Sequence, residues 1–365
     1  MTYKVAVLPG DGIGPEVVEQ AVRVLNALKG DGLSIEFEQG LIGGVAYRQT
    51  GDPLPKSTID LCRAADAILF GAVGDFSLDT LPRHLRPDRG GILRLRQELE
   101  LFANLRPLFL FPQLIDASPV KADVIRGLDV MIVRELSSDI YFSQPSGFRT
   151  VDQGRWVGQR EGYDTMRYNE GEVRRIVEYA FDLAAKRRKN VCSVDKSNVL
   201  EASQVWRDVA TSVASHHPEI AFSCMYADNS AMQLVRAPTQ FDVIVTGNLF
   251  GDILSDLGSV VAGSIGMLPS ASLADAHYGL YEPIHGSAPD LAGQNKANPL
   301  GTILSAAMML DISFGQSAFA RRIEKAVSAV LDQGLRTGDI FSPGMTLVGT
   351  REMGDAVMDS LLRQG

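Results

Sequence analysis

Asp252 and Asp256 stand four residues apart in Asn-Leu-Phe-Gly-Asp-Ile-Leu-Ser-Asp, residues 248–256. On a helix that spacing puts both carboxylates on one face, about 5–6 Å apart at Cβ. They repel each other there unless a cation lies between them. A hard divalent ion such as Mg²⁺ accepts carboxylate oxygens and keeps positions open for substrate. The plain alternative is one acid complementing a helix start and a second simply solvated. Spacing alone favours that alternative, and the rest of the chain reverses it.

Arg96 in Leu-Arg-Gln, Arg106 in Asn-Leu-Arg-Pro and Arg134 in Val-Arg-Glu-Leu each lie at the edge of a predicted element. Guanidinium forks grip carboxylates with two bonds at once, so three converging arginines would suit a small dicarboxylate. Taken singly, each reads as a surface ion pair. Arg134 fits that least, because it ends an apolar run where an unpaired charge is costly. Tyr141 follows seven residues later. Lys196 ends the run Val-Cys-Ser-Val-Asp, and Asp228 follows the run 221–226. Ligands in α/β proteins gather at the carboxyl ends of strands. A lysine there acts as a base if burial or a nearby cation lowers its pKa; a structural ion pair of Lys196 with Asp228 is the other reading.

These residues need elements to position them. Apolar runs predict strands at 5–8, 35–37, 67–70, 105–111, 129–133, 191–194, 221–226 and 241–245. Helical patterns cover 15–28, 92–101, 172–189, 203–215, 298–310 and 318–331, with Pro15 suited to a first turn. The alternation predicts an α/β fold with buried parallel strands. Residues 141–158, rich in Gly, Ser and Pro around Phe142, Phe148 and Trp156, read as a long hairpin arm, a partner-binding surface or an irregular surface loop.

Pro9-Gly-Asp-Gly-Ile-Gly-Pro15 joins the first strand to the first helix. Its glycine spacing departs from the Gly-x-Gly-x-x-Gly dinucleotide fingerprint, so a Rossmann reading is weak. A tight turn and a close approach to ligand fit the loop equally.

The 365 residues, 45% hydrophobic and 22% charged, suffice for two domains. A net charge of −9 argues against general nucleic-acid binding. The three cysteines, Cys62, Cys192 and Cys224, show neither zinc spacing nor a disulfide framework and read as small core residues in a reducing compartment. The chain opens on a strand-like run without signal-peptide character, and no apolar run is long enough to cross a bilayer. A cytoplasmic protein without membrane attachment is expected.

Several ordered motifs carry a family resemblance: Gly10-Asp-Gly-Ile-Gly-Pro-Glu16, Phe102-Ala-Asn-Leu-Arg-Pro107, Val133-Arg-Glu-Leu136, Asp139-Ile-Tyr-Phe142, Asp195-Lys-Ser-Asn198, residues 248–256, Gly263-Ser-Ile-Gly-Met-Leu-Pro-Ser270 and Tyr281-Glu-Pro-Ile-His-Gly-Ser-Ala-Pro-Asp-Leu-Ala-Gly293. From Lys4 nearly to the C-terminus the chain resembles the isocitrate/isopropylmalate dehydrogenase family of β-decarboxylating dehydrogenases, most closely its isopropylmalate branch. The resemblance implies a two-domain α/β fold with a large mixed sheet, distinct from a Rossmann fold. Residues 1–105 and 263–365 would form a cofactor-binding domain. Residues 106–262 would form a dimerisation domain with its arm at about 141–158.

The resemblance further implies oxidative decarboxylation of an isopropylmalate-type substrate with NAD⁺ and Mg²⁺ or Mn²⁺, in leucine biosynthesis. Tyr141 and Lys196 would be the proton-transfer groups. Arg96, Arg106, Arg134 and Asp228 would bind substrate, with Ile92 and Leu93 as an apolar wall for its C3 substituent. Asp228, Asp252 and Asp256 would hold the metal. Glu282, His285, Gly286, Ser287, Ala288, Asp290, Leu291 and Asn298 would hold the cofactor, with Asp290 repelling a 2′-phosphate. Lys196 and Asp228 would serve the partner subunit's site, so the homodimer shares its active sites. The chain has Ser137-Ser-Asp139 where the family usually has Thr-Gly-Gly-like small residues, and Leu257-Gly-Ser259 in place of Glu-Ala-Ser. Benzylmalate-, homoisocitrate- or tartrate-type substrates are alternatives on the same chemistry, Arg89 suiting a third carboxylate. A non-catalytic regulatory subunit is the alternative of another class.

Overall fold

Val5, Ala6, Val7 and Leu8 are all buried, because the strand they form has helices on both of its faces. In the computed structural model, which describes residues 2–364, the strands are β1 Tyr3–Gly10, β2 Ile35–Gln39, β3 Ala67–Ala72, β4 Ala103–Phe109, β5 Asp129–Glu135, β6 Gly147–Thr150, β7 Arg160–Tyr163, β8 Asn190–Asp195, β9 Ala221–Tyr226, β10 Val243–Thr246, β11 Pro269–Leu273, β12 Gly279–Pro283, β13 Leu335–Arg336 and β14 Thr346–Leu347. A 10-stranded sheet runs in the order β2-β1-β3-β12-β11-β4-β5-β10-β8-β9.

The strands predicted as parallel are so only in the two wings. The centre is antiparallel: β12 with β11, β11 with β4 and β4 with β5. β11 and β12 were not foreseen from periodicity, since Pro269-Ser-Ala-Ser-Leu lacks a long apolar run.

Alternation through this central block decides where chemistry can occur. Ala103, Leu105, Val133, Ala271, Leu273 and Tyr281 face one continuous core that extends under both wings. Residues of opposite parity in the same strands are Asn104, Arg106, Arg134, Ser270, Ser272 and Glu282, all buried and polar. On that second face the apolar packing splits in two. One cluster gathers Ala6, Leu8, Ile68, Phe70 and Leu280, and the other Val130, Ile132, Val194, Ile244 and Leu254. The polar residues of the central strands therefore form a buried polar seam between the two apolar clusters.

The helix Gly14–Ala27 starts with Pro15 in its first turn and buries Val17, Val18, Ala21, Val24 and Leu25, the spacing of one helical face. The helix expected over 92–101 instead begins as wide π-helical turns at Pro87–Leu93 and becomes α-helical over Arg94–Glu98. π-Helical turns recur where a chain must aim side chains at a functional site. β6 and β7 pair as a hairpin with Phe148 and Trp156 exposed. The hairpin runs on to Tyr163, and Tyr141 precedes it in a separate 3₁₀ turn, Asp139–Tyr141. Cys62 and Cys192 are buried as expected, but Cys224 is exposed because β9 is an edge strand with partners on one side only. Among the described residues, no helix is long and apolar enough to cross a membrane.

Candidate active site

Asn248–Val261 is a helix, so Asp252 and Asp256 do lie one turn apart on one face. That face meets the arginines of the buried polar seam. Arg134, at the carboxyl end of β5, is 1% exposed. Its Nε and Nη2 donate to Asn248 Oδ1 at 2.9 and 2.7 Å, and its Nη1 donates to Asp252 Oδ1. Gly251 admits the arginine stem: a Cβ there would lie 2.6 Å from Arg134 Cγ. Arg106 donates from Nε to Asn104 Oδ1 (2.8 Å) and from Nη1 to Ser255 Oγ (2.6 Å), and the same Nη1 lies 3.4 Å from Asp252 and 3.3 Å from Asp256. Tyr141 Oη donates to Asp252 Oδ2 at 2.7 Å, and the Arg134 guanidinium sits 5.4 Å from its ring centre.

The charges in this cluster shift one another. Burial pushes the Asp252 carboxyl up, but Arg134, Arg106 and the Tyr141 hydrogen bond outweigh it and hold Asp252 below the usual carboxylate range. Asp256 moves the other way: burial, reinforced by the charge of Asp252, pushes it up against the pull of Arg106. Burial and the like charge of Arg106 bring Arg134 down to about 10. Burial, with the hydrogen bond and charge of Asp252, raises the Tyr141 phenol to about 12, so it holds its proton at neutral pH.

Arg96 approaches from the side of the other apolar cluster, where its neighbours Ile92 and Leu95 pack. Its Nη2 donates to Glu282 Oε1 at 2.7 Å in a buried pair, while its buried Nε has no partner. Ile92 is buried in the apolar cluster of that wing and Leu93 is half-buried beside it. Lys196 and Asp228 form a separate pair at 2.9 Å, with the Lys196 ammonium 5.6 Å from the Tyr226 ring centre. The hydrogen bond from Lys196 holds Asp228 below the usual carboxylate range. Among the described residues no hydrogen bond or ion pair joins this pair to Asp252 or Asp256 within one chain, and no three His, Cys, Asp or Glu side chains gather as a metal cage.

A concavity of about 840 Å³ opens beside the first helix. His285, Ala288, Leu291 and Asn298 line it, together with Ile13, Ser264, Gly266 and Asp339. Gly286 is exposed, Asp290 is exposed outside the lining, and Ser287 is buried with its carbonyl accepting the Ile13 N–H at 2.8 Å. The glycine loop is thus a tight turn against the chain itself: Gly12 has φ +58°, and a Cβ there would meet the Ser287 carbonyl at 1.9 Å. Asp339 was not foreseen. Its carboxylate accepts from Ser264 Oγ (2.6 Å), Thr337 Oγ1 (2.6 Å) and Asn298 Nδ2 (3.0 Å), joining three distant segments at the cavity wall. Burial lowers the His285 pKa below its ordinary value, and its Nε2 is buried without a partner.

The chain matches the family "Isocitrate/isopropylmalate dehydrogenase" over residues 4–357. It is 60% identical over 358 residues to a 3-isopropylmalate dehydrogenase of Burkholderia lata, covering 98% of this chain and 100% of that one. It is 59% identical over 361 residues to a 3-isopropylmalate dehydrogenase of Bordetella avium, covering 99% and 100%. Among solved structures it resembles isocitrate dehydrogenase from Methylococcus capsulatus, with TM-score 0.86, 33% identity and 99% of both chains covered. It also resembles a β-decarboxylating dehydrogenase from Thermococcus kodakarensis, with TM-score 0.76, 35% identity and 99% and 96% covered. Fold and relatives define an enzyme of the β-decarboxylating dehydrogenase class. The chain belongs to the isocitrate/isopropylmalate dehydrogenase family.

Proposed function

We propose that this enzyme converts 3-isopropylmalate to 2-oxo-4-methylpentanoate with NAD⁺ and Mg²⁺ or Mn²⁺, in the cytoplasm, as a step of leucine biosynthesis. The observation that carries the reading is the single carboxylate of Asp252, on which Tyr141, Arg134 and Arg106 converge. The relatives at 60% and 59% identity, named 3-isopropylmalate dehydrogenase over their whole length, support this substrate over isocitrate.

The residues present fit both absent groups. Asp252 and Asp256 offer hard oxygen donors on one face, and a cation between them would offset the burial and the like charge that raise Asp256. The orphaned His285 Nε2 and the apolar walls of Ala288 and Leu291 suit a nucleotide. In this reading Asp252, Asp256 and the partner subunit's Asp228 hold the metal, and Glu282, His285, Gly286, Ser287, Ala288, Asp290, Leu291 and Asn298 hold the cofactor. When bound, the metal supplies Lewis acidity at the substrate's C2 oxygen and the nicotinamide supplies a hydride acceptor.

The chain's own groups do the rest. Arg96, Arg106 and Arg134 fix the two carboxylates of the malate core. The partner subunit's Lys196, as the neutral amine, helps remove the C2 hydroxyl proton through water as the hydride leaves C2. The C3 carboxylate then departs as CO₂, and its bonding pair is protonated at C3 by the Tyr141 phenol. That group is kept protonated by the burial and the Asp252 contact that raise it to about 12. Ile92 and Leu93 form the wall toward the C3 substituent.

A homodimer is required by this assignment of Lys196 and Asp228. Met232 and Val235 of the helix Ala227–Arg236 and Ile253 and Val260 of the aspartate helix are exposed apolar residues on two helices that pack together. Such a face suits a second copy. Residues 1–105 with 263–365 then carry the cofactor cavity, and 106–262 the aspartate helix and the dimer face.

The test is a panel of isopropylmalate, malate, tartrate, isocitrate, homoisocitrate and benzylmalate with Mg²⁺ and either NAD⁺ or NADP⁺, following the reduced cofactor and CO₂ together. Preference for isopropylmalate with equimolar CO₂ supports the reading. Preference for another acid refutes the substrate, preference for NADP⁺ refutes the role of Asp290, and NADH without CO₂ refutes the decarboxylation.

A further inference from the structure

Asp139 occupies a backbone position made for glycine. Its φ is +72°, in the left-handed region, yet its side chain is fully buried. The carboxylate is directed at two pieces of chain at once. Oδ1 accepts the N–H of Ile140 at 2.7 Å, within the turn that carries Tyr141. Oδ2 accepts the N–H of Leu249 at 3.0 Å, in the first turn of the aspartate helix, where backbone N–H groups lack helical partners. Tyr168 Oη lies 3.4 Å from the same oxygen and itself accepts the Asn248 N–H at 2.8 Å. Gly247, just before the helix, leaves room for the approach: a Cβ there would stand 3.4 Å from Asp139 Oδ2 and 3.1 Å from Tyr168 Oη.

One carboxylate thus fastens the Tyr141 turn to the start of the helix that bears Asp252, the residue that Tyr141 Oη contacts. Resting on the reading of Tyr141 as proton donor, we propose that Asp139 is a positioning residue: its side chain sets the height of the phenol over the aspartate helix. The charge at a helix N-terminus and two backbone donors keep the carboxylate in place. A second tie remains in Asn248 Nδ2, which donates to the Ser138 and Leu136 carbonyls at 3.1 and 3.3 Å, so loss of Asp139 loosens the turn without releasing it.

The experiment is a cycle of Asp139→Gly, Tyr141→Phe and the double variant in the dimeric holoenzyme, with Asp139→Asn alongside. Glycine suits the φ of this position, so folding is kept while the tie is cut. A displacement of about 1 Å costs up to about 10²-fold in rate, and the surviving Asn248 tie lowers that to about tenfold in kcat for Asp139→Gly. KM for the substrate stays within about twofold, because Arg96, Arg106 and Arg134 are held by Glu282, Asn104, Ser255, Asn248 and Asp252 and none of them by Asp139. Asp139→Asn, which keeps an acceptor oxygen, regains part of the loss. The double variant is no slower than Tyr141→Phe, since no phenol is left to position. Unchanged kcat in Asp139→Gly with Tyr141→Phe impaired, or losses that multiply in the double variant, overturns the proposal. Full activity in Tyr141→Phe instead removes Tyr141 from the chemistry and overturns the reading on which the positioning rests.

Discussion

Gly251→Ala tests whether Arg134 is locked. In an exposed helix interior the change would be favourable by about 0.8–1 kcal/mol from propensity alone. Here the new methyl would lie 2.6 Å from Arg134 Cγ, 2.8 Å from its Cβ and 3.2 Å from its Cδ. These atoms are the root of the side chain, and its tip is pinned by Asn248 and Asp252. Neither end can yield alone, so the arginine or the helix must shift. Overpacking of this kind costs about 1–3 kcal/mol, which leaves a net loss of up to about 2 kcal/mol after the propensity gain. The larger effect is on catalysis. A guanidinium moved by about 1 Å costs on the order of 10²-fold in kcat/KM, equivalent to about 2.7 kcal/mol of transition-state stabilisation. Steady-state kinetics with saturating NAD⁺ and Mg²⁺, paired with urea unfolding, reads both quantities. A variant about 1 kcal/mol more stable than the parent with kcat/KM within about twofold would refute the reasoning, because it would show that Arg134 has slack at its root.

Mixing inactive Lys196→Met and Tyr141→Phe homodimers and allowing exchange restores activity to about a quarter of the parent's: half of the dimers are hybrids, each with one intact site of two. No recovery after proven exchange refutes the shared site. If the cavity beside Ile13 takes the nucleotide as proposed, Asp339→Ala raises KM for NAD⁺ roughly tenfold and lowers kcat by less than about threefold, since it removes a brace of the cavity wall rather than a reacting group. Burial disfavours protonation of His285 in the folded state, whereas the unfolded chain takes up its proton below about pH 6.5. The unfolded state then binds the extra proton, so unfolding free energy falls as pH drops through that value, and His285→Gln flattens this part of the profile. A parent curve that rises on acidification would contradict the assignment.

The helix at 248–256 and the strand ends at Arg134 and Lys196 were legible because local period and apolar runs report directly on local structure. Strand orientation was legible only through the family resemblance, which implied a mixed sheet, and not through periodicity. Period-2 burial is the same for parallel and antiparallel neighbours, so the central block around Leu105, Val133 and Ala271 read as more of the parallel wings. β4 was expected at 105–111 but lies at Ala103–Phe109, because its pairing with β5, Ala103 opposite Glu135, overrides the pull of the apolar run 108–111. Asp339 and the Arg96–Glu282 pair were invisible for another reason. Their partners lie 75 and 186 residues away, and a single acid in a short turn carries no pattern. Asp139 stood out only as an oddity until its φ and its two backbone partners explained it.

Glu282, the penultimate residue of β12, forms a buried ion pair with Arg96 and is also assigned to the proposed cofactor set. One ion pair therefore belongs to both halves of the reaction. If Arg96 takes a substrate carboxylate as proposed, Glu282 loses its counter-ion, and an uncompensated acid appears at the edge of the nucleotide segment. Anything the cofactor then offers that acid as a hydrogen-bond donor becomes more valuable, while a further negative charge nearby becomes less tolerable. Linkage requires the same factor in reverse: whichever ligand binds first must change the affinity of the other by an equal ratio. On that assignment the two binding steps are coupled through two side chains, and the coupling is the same along either order of arrival.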